Sequence, residues 1–338
     1  MLRCKGRRSK VPGGRRRLLP ASAALLLAGC GGPQSALVTA GREAEAVAGL
    51  FWIMLGGAVF IWVLVIGTAV YAAYIHPDPH RDRVARWFLL GGGVALPVAV
   101  LTALLVYGLL LMGSLRSEGE GLRLAVTGEQ WWWRVSYSPE GGGDVVHSAN
   151  EIRLPAGRRA ELLLDSPDVI HSFWIPPLGG KMDMIPGRTT RLVLEPAEPG
   201  SYRGACAEYC GASHALMAFS VEVMEPAAFD AWLAREAEPA AAPTEAAARR
   251  GAELFHDVGC GACHAIRGTP AAGVIGPDLT HLASRATLAA GTLPMTRDAL
   301  ARWITDPQAV KPGARMPPFR ALGKTRIADL AAFLAELQ

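Results

Sequence analysis

Cys206-Ala-Glu-Tyr-Cys210-Gly-Ala-Ser-His214-Ala-Leu-Met217 packs two cysteines, a histidine and a methionine into one short stretch, and His171 stands upstream in Asp168-Val-Ile-His171-Ser. Thiolate, imidazole and thioether are the donors that soft copper prefers. Two thiolates four residues apart can each bridge two metal ions. The stretch therefore suits a dinuclear copper centre better than a single blue copper, which needs only one cysteine. A C-x3-C pair in an exported protein can instead be a disulfide, but that reading leaves the histidines and the methionine without a role.

The chain of 338 residues has six cysteines: Cys4, Cys30, Cys206, Cys210, Cys260 and Cys263. Cys260-Gly-Ala-Cys263-His264 is a C-x-x-C-H run, which reads as covalent attachment of c-type haem. Cys260 and Cys263 would form the thioethers and His264 would be the proximal iron ligand. For the sixth iron position, Met316 in Gly313-Ala-Arg-Met316-Pro-Pro-Phe is favoured because flanking prolines stiffen its loop. Met295 is the rival. A thioether ligand raises the reduction potential, which suits electron transfer. His256 and His281 read as solvated surface residues. Cys30 closes Leu27-Ala-Gly-Cys30, which looks like a bacterial lipoprotein cleavage box, and Cys4 lies in the part that would be removed.

The copper stretch resembles the binuclear copper (CuA) domain of cytochrome c oxidase subunit II. The resemblance implies bridging by Cys206 and Cys210, with His171, His214, Met217 and the backbone carbonyl of Glu208 completing the shell. It further implies that the Glu208 side chain reaches a magnesium ion at the partner interface, with water and the partner supplying the remaining ligands. Trp131, in Gly128-Glu-Gln-Trp131-Trp132-Trp133, matches the residue at which electrons enter the copper centre, while Trp132 and Trp133 read as structural. Lys181-Met-Asp183-Met-Ile-Pro-Gly187-Arg188 matches the surface facing the catalytic subunit. Gly276-Pro277-Asp-Leu is similar to the cytochrome segment whose proline carbonyl accepts a hydrogen bond from the proximal imidazole. One departure stands out. Many family members carry a glutamate before the second membrane helix, at the mouth of a proton channel, and Arg86-Trp-Phe-Leu-Leu-Gly-Gly-Gly has none.

Several elements must position these groups. A basic start followed by the short apolar stretch Leu18–Ala28 reads as a lipoprotein signal peptide over 1–29; an uncleaved cytoplasmic tail is the alternative, since Pro20 interrupts the apolar stretch. Next comes an extracytoplasmic segment over 30–48. The uncharged runs Leu50–Ile75 and Trp87–Gly113 exceed the ~20 residues a bilayer requires, and predict membrane helices over 49–75 and 87–113. The arginine-bearing loop 76–86 between them belongs in the cytoplasm by the positive-inside rule.

Short β-rich runs broken by Gly and Pro predict an all-β unit over 114–226, for which the resemblance implies a cupredoxin-like Greek-key barrel. Its clearest strands are 123–127, 151–154, 160–164, 190–194 and 219–223. An Ala/Pro-rich linker is expected over 227–246. Residues 247–338 form a helical unit resembling class I cytochrome c, with Gly251 allowing its terminal helices to cross closely. The fold class is thus multi-domain: a two-helix transmembrane hairpin, a β barrel and an all-α haem domain.

The resemblance covers nearly the whole mature chain, and the fused haem unit points to the caa type of oxidase. It implies subunit II of a respiratory haem-copper terminal oxidase in the bacterial inner membrane, its copper and haem units on the periplasmic side. Implied partners are oxidase subunit I, other oxidase subunits, the membrane, and an external electron donor, either cytochrome c or a quinol-cytochrome c reductase complex. No nucleic acid is expected. Alternatives are a copper-bearing small subunit of a nitric oxide reductase and a free-standing membrane-tethered electron carrier. A nitrous oxide reductase shares the copper motif but needs a much larger propeller domain. Residues 121–226 carry a net negative charge and 247–338 a net positive one. That opposition predicts a salt-sensitive docking of the haem unit on the copper unit.

Overall fold

Apolar and polar side chains alternate along the strands of the β unit, so each strand has one face for the core and one for solvent. The computed structural model describes residues 32, 34–77, 81–115, 121–138 and 142–338; Cys30 and the leader before it lie outside them. In β1 (Leu122–Glu129) the side chains of Leu122, Leu124 and Val126 point inward, and in β2 (Trp132–Ser138) those of Trp133, Val135 and Tyr137 do. The remaining strands are β3 (Val146–Ala149), β4 (Glu151–Pro155), β5 (Ala160–Asp165), β6 (His171–Trp174), β7 (Met182–Met184), β8 (Thr190–Leu194), β9 (Gly200–Cys206) and β10 (Ala218–Met224). They form two five-stranded sheets, ordered β3-β2-β1-β5-β8 and β4-β10-β9-β6-β7.

An aromatic cluster fills the space between the sheets. Phe173 and Phe219 stack at 4.7 Å, and Trp133 meets Phe219 edge-on at 5.1 Å. This is the expected cupredoxin-like unit, and all five strands read from the sequence are present. The aromatic run at 131–133 hid β2, because its tryptophans mask the alternation.

Two apolar helical segments, Arg42–Ile75 and Asp82–Gly113, are long and apolar enough to cross a membrane. Helix α1 (Arg42–Val70) starts earlier than the apolar run. Its first turn is polar and pinned to the β unit: Glu43 accepts the Glu195 amide at 2.8 Å and Arg42 pairs with Glu195 at 2.8 Å. The second segment comprises α2 (Asp82–Leu90), a wider turn over Gly91–Ala95, and α3 (Leu96–Leu115). The wider turn closes from the Leu96 amide to the Gly91 carbonyl. It ends two residues before Pro97, which has no N–H for a helical bond.

Half of the expected linker is a helix. Helix α4 (Pro226–Glu236) opens on proline, which suits the first helical position. Phe229 and Trp232, three residues apart, share one face. Both are buried in the β unit's core, with Trp232 5.2 Å from Tyr137. The residues after α4 are also tied down. Arg267 donates to the carbonyls of Glu236 and Glu238, Ala240 donates to the Arg267 carbonyl, and His281 bonds Glu238 at 3.0 Å. His281 is therefore buried rather than solvated, whereas His256 is exposed.

The haem unit has helices α5 (Ala246–Asp257), α6 (Arg297–Thr305), α7 (Pro307–Val310) and α8 (Gly323–Ala335), plus the two-residue strands β11 (Thr287–Leu288) and β12 (Leu293–Pro294). Helices α5 and α8 cross at Gly251, where a Cβ would lie 2.0 Å from the Asp329 carbonyl oxygen. No larger residue fits without moving a helix. Phe255 against Phe333, at 5.7 Å, and the Arg250–Asp329 ion pair, at 2.7 Å, close the same crossing.

Candidate metal and haem centres

Strand β9 delivers Cys206 at its last residue, and the turn after it brings Cys210, His214 and Met217 back beside it before β10 starts. His171 opens β6, hydrogen-bonded to β9 in the same sheet. Ligands 35 residues apart in sequence thus meet at one end of a rigid scaffold. The Sγ atoms of Cys206 and Cys210 are 3.8 Å apart. Nδ1 of His171 lies 3.8 Å from Cys206 Sγ, and Nδ1 of His214 lies 3.6 Å from Cys210 Sγ. Met217 Sδ is 3.8 Å from Cys210 Sγ, and the Glu208 carbonyl oxygen is 3.2 Å from Cys206 Sγ. Each of the six predicted ligands has its donor atom in this cluster.

The charges suit a cation. The hydrogen bond with Cys210 holds the Cys206 thiol down, to about 3, and the same contact pushes Cys210 up. One thiolate forms readily and the second proton leaves when a metal arrives, as thiolate coordination requires. Burial disfavours charge on His171, but Cys206 and Asp168 outweigh it and raise this imidazole. Two partners from outside the ligand set, Asp168 and Gln130, fix the site and were missed in the sequence. Asp168 Oδ1 meets His171 Nε2 at 2.9 Å, turning Nδ1 toward the sulfur atoms. Burial works against the Asp168 carboxylate, yet hydrogen bonds from the Gln130 amide, His171 and the Val169 amide hold it below its usual range. Gln130 Nε2 also donates to the Cys210 carbonyl at 2.7 Å. A carboxylate three residues before a candidate histidine ligand was the available signal.

Trp131 lies over the same loop. Its Nε1 donates to the Cys210 carbonyl at 3.0 Å and its ring is buried. Trp133 is fully buried in the aromatic core, and Trp132 lies under the Arg134 guanidinium at 4.7 Å. The Glu208 side chain is exposed and accepts from the Tyr209 amide, at 3.2 Å. Among the described residues it belongs to no cluster of three or more His, Cys, Asp or Glu side chains that could hold an ion.

In the haem unit, a tight turn over Cys260–Ala262 leads into His264. His264 Nδ1 donates to the Pro277 carbonyl at 2.8 Å, leaving Nε2 for iron. Burial lowers this imidazole and favours the neutral, ligating form. Arg285 is buried, and its Nε has no hydrogen-bond partner among the described residues. A buried guanidinium with an open N–H fits the anionic propionates of a haem. Met316 and Met295 are both half-buried against the haem unit's core. The donor set in the β unit and the polar groups here fit copper and haem c, respectively.

Comparisons with known proteins agree in both halves. Residues 139–224 match the family profile described as cytochrome c oxidase subunit II, periplasmic domain, and residues 248–338 match that of cytochrome c. The chain is 38% identical over 215 residues to cytochrome c oxidase subunit 2 of Alkalihalophilus pseudofirmus, covering 64% of this chain and 61% of that one. It is 30% identical over 250 residues to the subunit 2 of Bacillus sp. strain PS3, covering 71% and 68%. It thus spans less than two thirds of the first relative's length. A crystal structure of the periplasmic domain of subunit II of cytochrome oxidase from Bradyrhizobium japonicum is 30% identical, covering 36% of this chain and 95% of that one, with a TM-score of 0.33.

Proposed function

This chain belongs to the cytochrome c oxidase subunit II family, and from that premise we propose that it is the electron-transfer subunit of a respiratory haem-copper terminal oxidase of the caa type. Electrons from an external donor, cytochrome c or a quinol-cytochrome c reductase complex, would arrive at residues 247–338. They would pass through Trp131 to the loop of residues 206–217 and on to subunit I, where dioxygen is reduced to water with proton translocation. Cys206, Cys210, His171, His214, Met217 and the Glu208 carbonyl would hold two coppers. Cys260, Cys263, His264 and Met316 would hold one haem c, and the Glu208 side chain would reach an interfacial magnesium. When bound, the copper pair and the haem each supply a one-electron store whose geometry changes little on redox. The chain would sit in the bacterial inner membrane by two helices and a lipid on Cys30, with both units on the periplasmic side.

What supports this reading above all is the convergence of six donor atoms in one cluster whose neighbours already fix it. Asp168 orients the His171 ring, while Gln130 and Trp131 hold the Cys210 carbonyl, so the loop needs little rearrangement to bind metal. The full chain is expected to bind two coppers with a mixed-valence spectrum. Cys206→Ser should abolish that spectrum, because a hydroxyl bridges soft copper poorly. One copper per wild-type chain with a single-site spectrum would overturn the dinuclear assignment.

A further inference from the structure

The haem unit is seated on the β unit by contacts that run between the two redox loops themselves. Lys311, buried and five residues before Met316, sends Nζ to the Leu216 carbonyl at 3.0 Å and the Ala289 carbonyl at 3.1 Å. Leu216 is the residue before Met217. Ser213, which precedes His214 and is also buried, donates to the Pro312 carbonyl at 2.6 Å. The Ala218 amide leaves its own sheet to donate to the Ala290 carbonyl at 3.1 Å. Farther out, the Ala286 amide donates to Glu151 Oε2 at 2.7 Å and Arg153 donates to the Ser284 carbonyl at 3.0 Å.

Two backbone features point the same way. Gly313 has φ +85, and a Cβ there would lie 2.4 Å from the Trp131 ring. The Met316 loop therefore approaches the indole as closely as a chain can, and only glycine allows it. Ala289 and Ala290, with φ of 54 and 58, adopt the left-handed conformation that non-glycine residues avoid. Such strain persists where surrounding contacts over-determine it. Here their carbonyls accept from Lys311 and Ala218.

We propose that Lys311 is a positioning residue: with Ser213 and Gly313 it locks the haem unit onto the copper loop, so that the two redox sites keep a fixed separation and the haem unit is a permanent, not an encountering, donor. The dock replaces the salt-sensitive encounter expected from net charge. Near the metal loops its buried contacts are hydrogen bonds to backbone carbonyls, and the ion pair there, Arg315 with Asp168, is long at 3.7 Å. The polar head of Lys311 has lost water, and burial pushes the ammonium down to about 7 against the nearby charge of Cys210; the two carbonyls are its hydrogen-bond partners.

The purpose assigned to the dock rests on the proposed function, but its existence has a readout that needs no electron transfer. Hydrogen exchange is followed on the full chain in peptides carrying the Ala218 and Ala286 amides, whose hydrogen-bond acceptors lie across the seam. Wild type should protect both, and Lys311→Met should speed their exchange about tenfold or more by releasing the seam as a unit. In the cofactor-loaded full chain, haem-to-copper transfer should be flat with ionic strength in wild type. In Lys311→Met it should be slower and salt-dependent with both absorption spectra unchanged, which a loss of stability alone would not produce. Wild-type amides exchanging like exposed loops would overturn the dock even if the variant failed to accumulate. So would a Lys311→Met protein with wild-type exchange. A chain that held no copper or haem would sink the functional reading and leave the exchange result standing.

Discussion

Asp168 shows how a residue can decide a site without touching the metal. Its carboxylate bonds the His171 ring, the Gln130 amide and the Val169 amide, so one side chain sets the azimuth of a ligand and the entrance to the aromatic segment. Asp168→Asn keeps the shape but removes the charge that, after Cys206, raises the His171 imidazole. Copper affinity should fall about 10- to 100-fold, as for other partners of ligating histidines. A competition titration against a chelator measures it, and an unchanged affinity would leave Asp168 a folding role alone. The proposed ligands were legible as candidates in the sequence because coordination dictates their type and spacing, and the fold brings their donor atoms together. Asp168 and Gln130 were not, because an aspartate or glutamine acquires such a role only when a fold brings it to the right carbonyl or ring. Lys311 was the least legible of all. A lone lysine reads as solvated, and nothing local marks its burial.

Among the elements, five of the ten strands of the β unit announced themselves by alternation, and the α5–α8 crossing by Gly251. Helix α4 did not, since its alanine-rich composition hid two aromatic anchors three residues apart, and an average over such a stretch resembles a tether. The same bias concealed how the chain between α4 and α5 is held. Glu336, after α8, accepts the amides of Thr244 and Glu245 at 2.6 and 3.1 Å and so caps the start of α5 from another helix. The Thr244 hydrogen bond, aided by that from Glu245, holds this carboxyl below the usual glutamate range. Its folded value lies under its unfolded one, so its contribution is complete at neutral pH and fades as pH falls through the folded value. Thermal unfolding of the haem unit should therefore lose a component on acidification below the ordinary glutamate range, and Glu336→Gln should lose that component at every pH. A pH profile identical in the variant would assign the acid sensitivity to other groups.

At the scale of the molecule, three units that read as separate beads turn out to be joined at both seams. Net charge of each bead suggested how they would attract. It could not say that arginines of the acidic unit would reach carbonyls of the basic one, because composition carries no positions. The pinned first turn of α1 has a consequence of another kind. With the turn that follows it, α1 makes the 34-residue helical segment Arg42–Ile75, about 51 Å long at 1.5 Å per residue, against roughly 30 Å of hydrocarbon. It is a stalk, and the β unit is bolted to its upper end through Arg42 and Glu43. In the proposed membrane setting the stalk would fix the compass heading of the copper loop as well as its height above the bilayer. One alanine inserted after Ala48 would swing the loop about 100° around the helix axis, and four would bring it nearly full circle. Copper content should be unchanged in both insertions, whereas electron delivery to a membrane partner should vanish with one residue and partly return with four. A loss that deepened from one residue to four would mean that height, which rises about 1.5 Å with each residue, and not heading, is what the stalk sets.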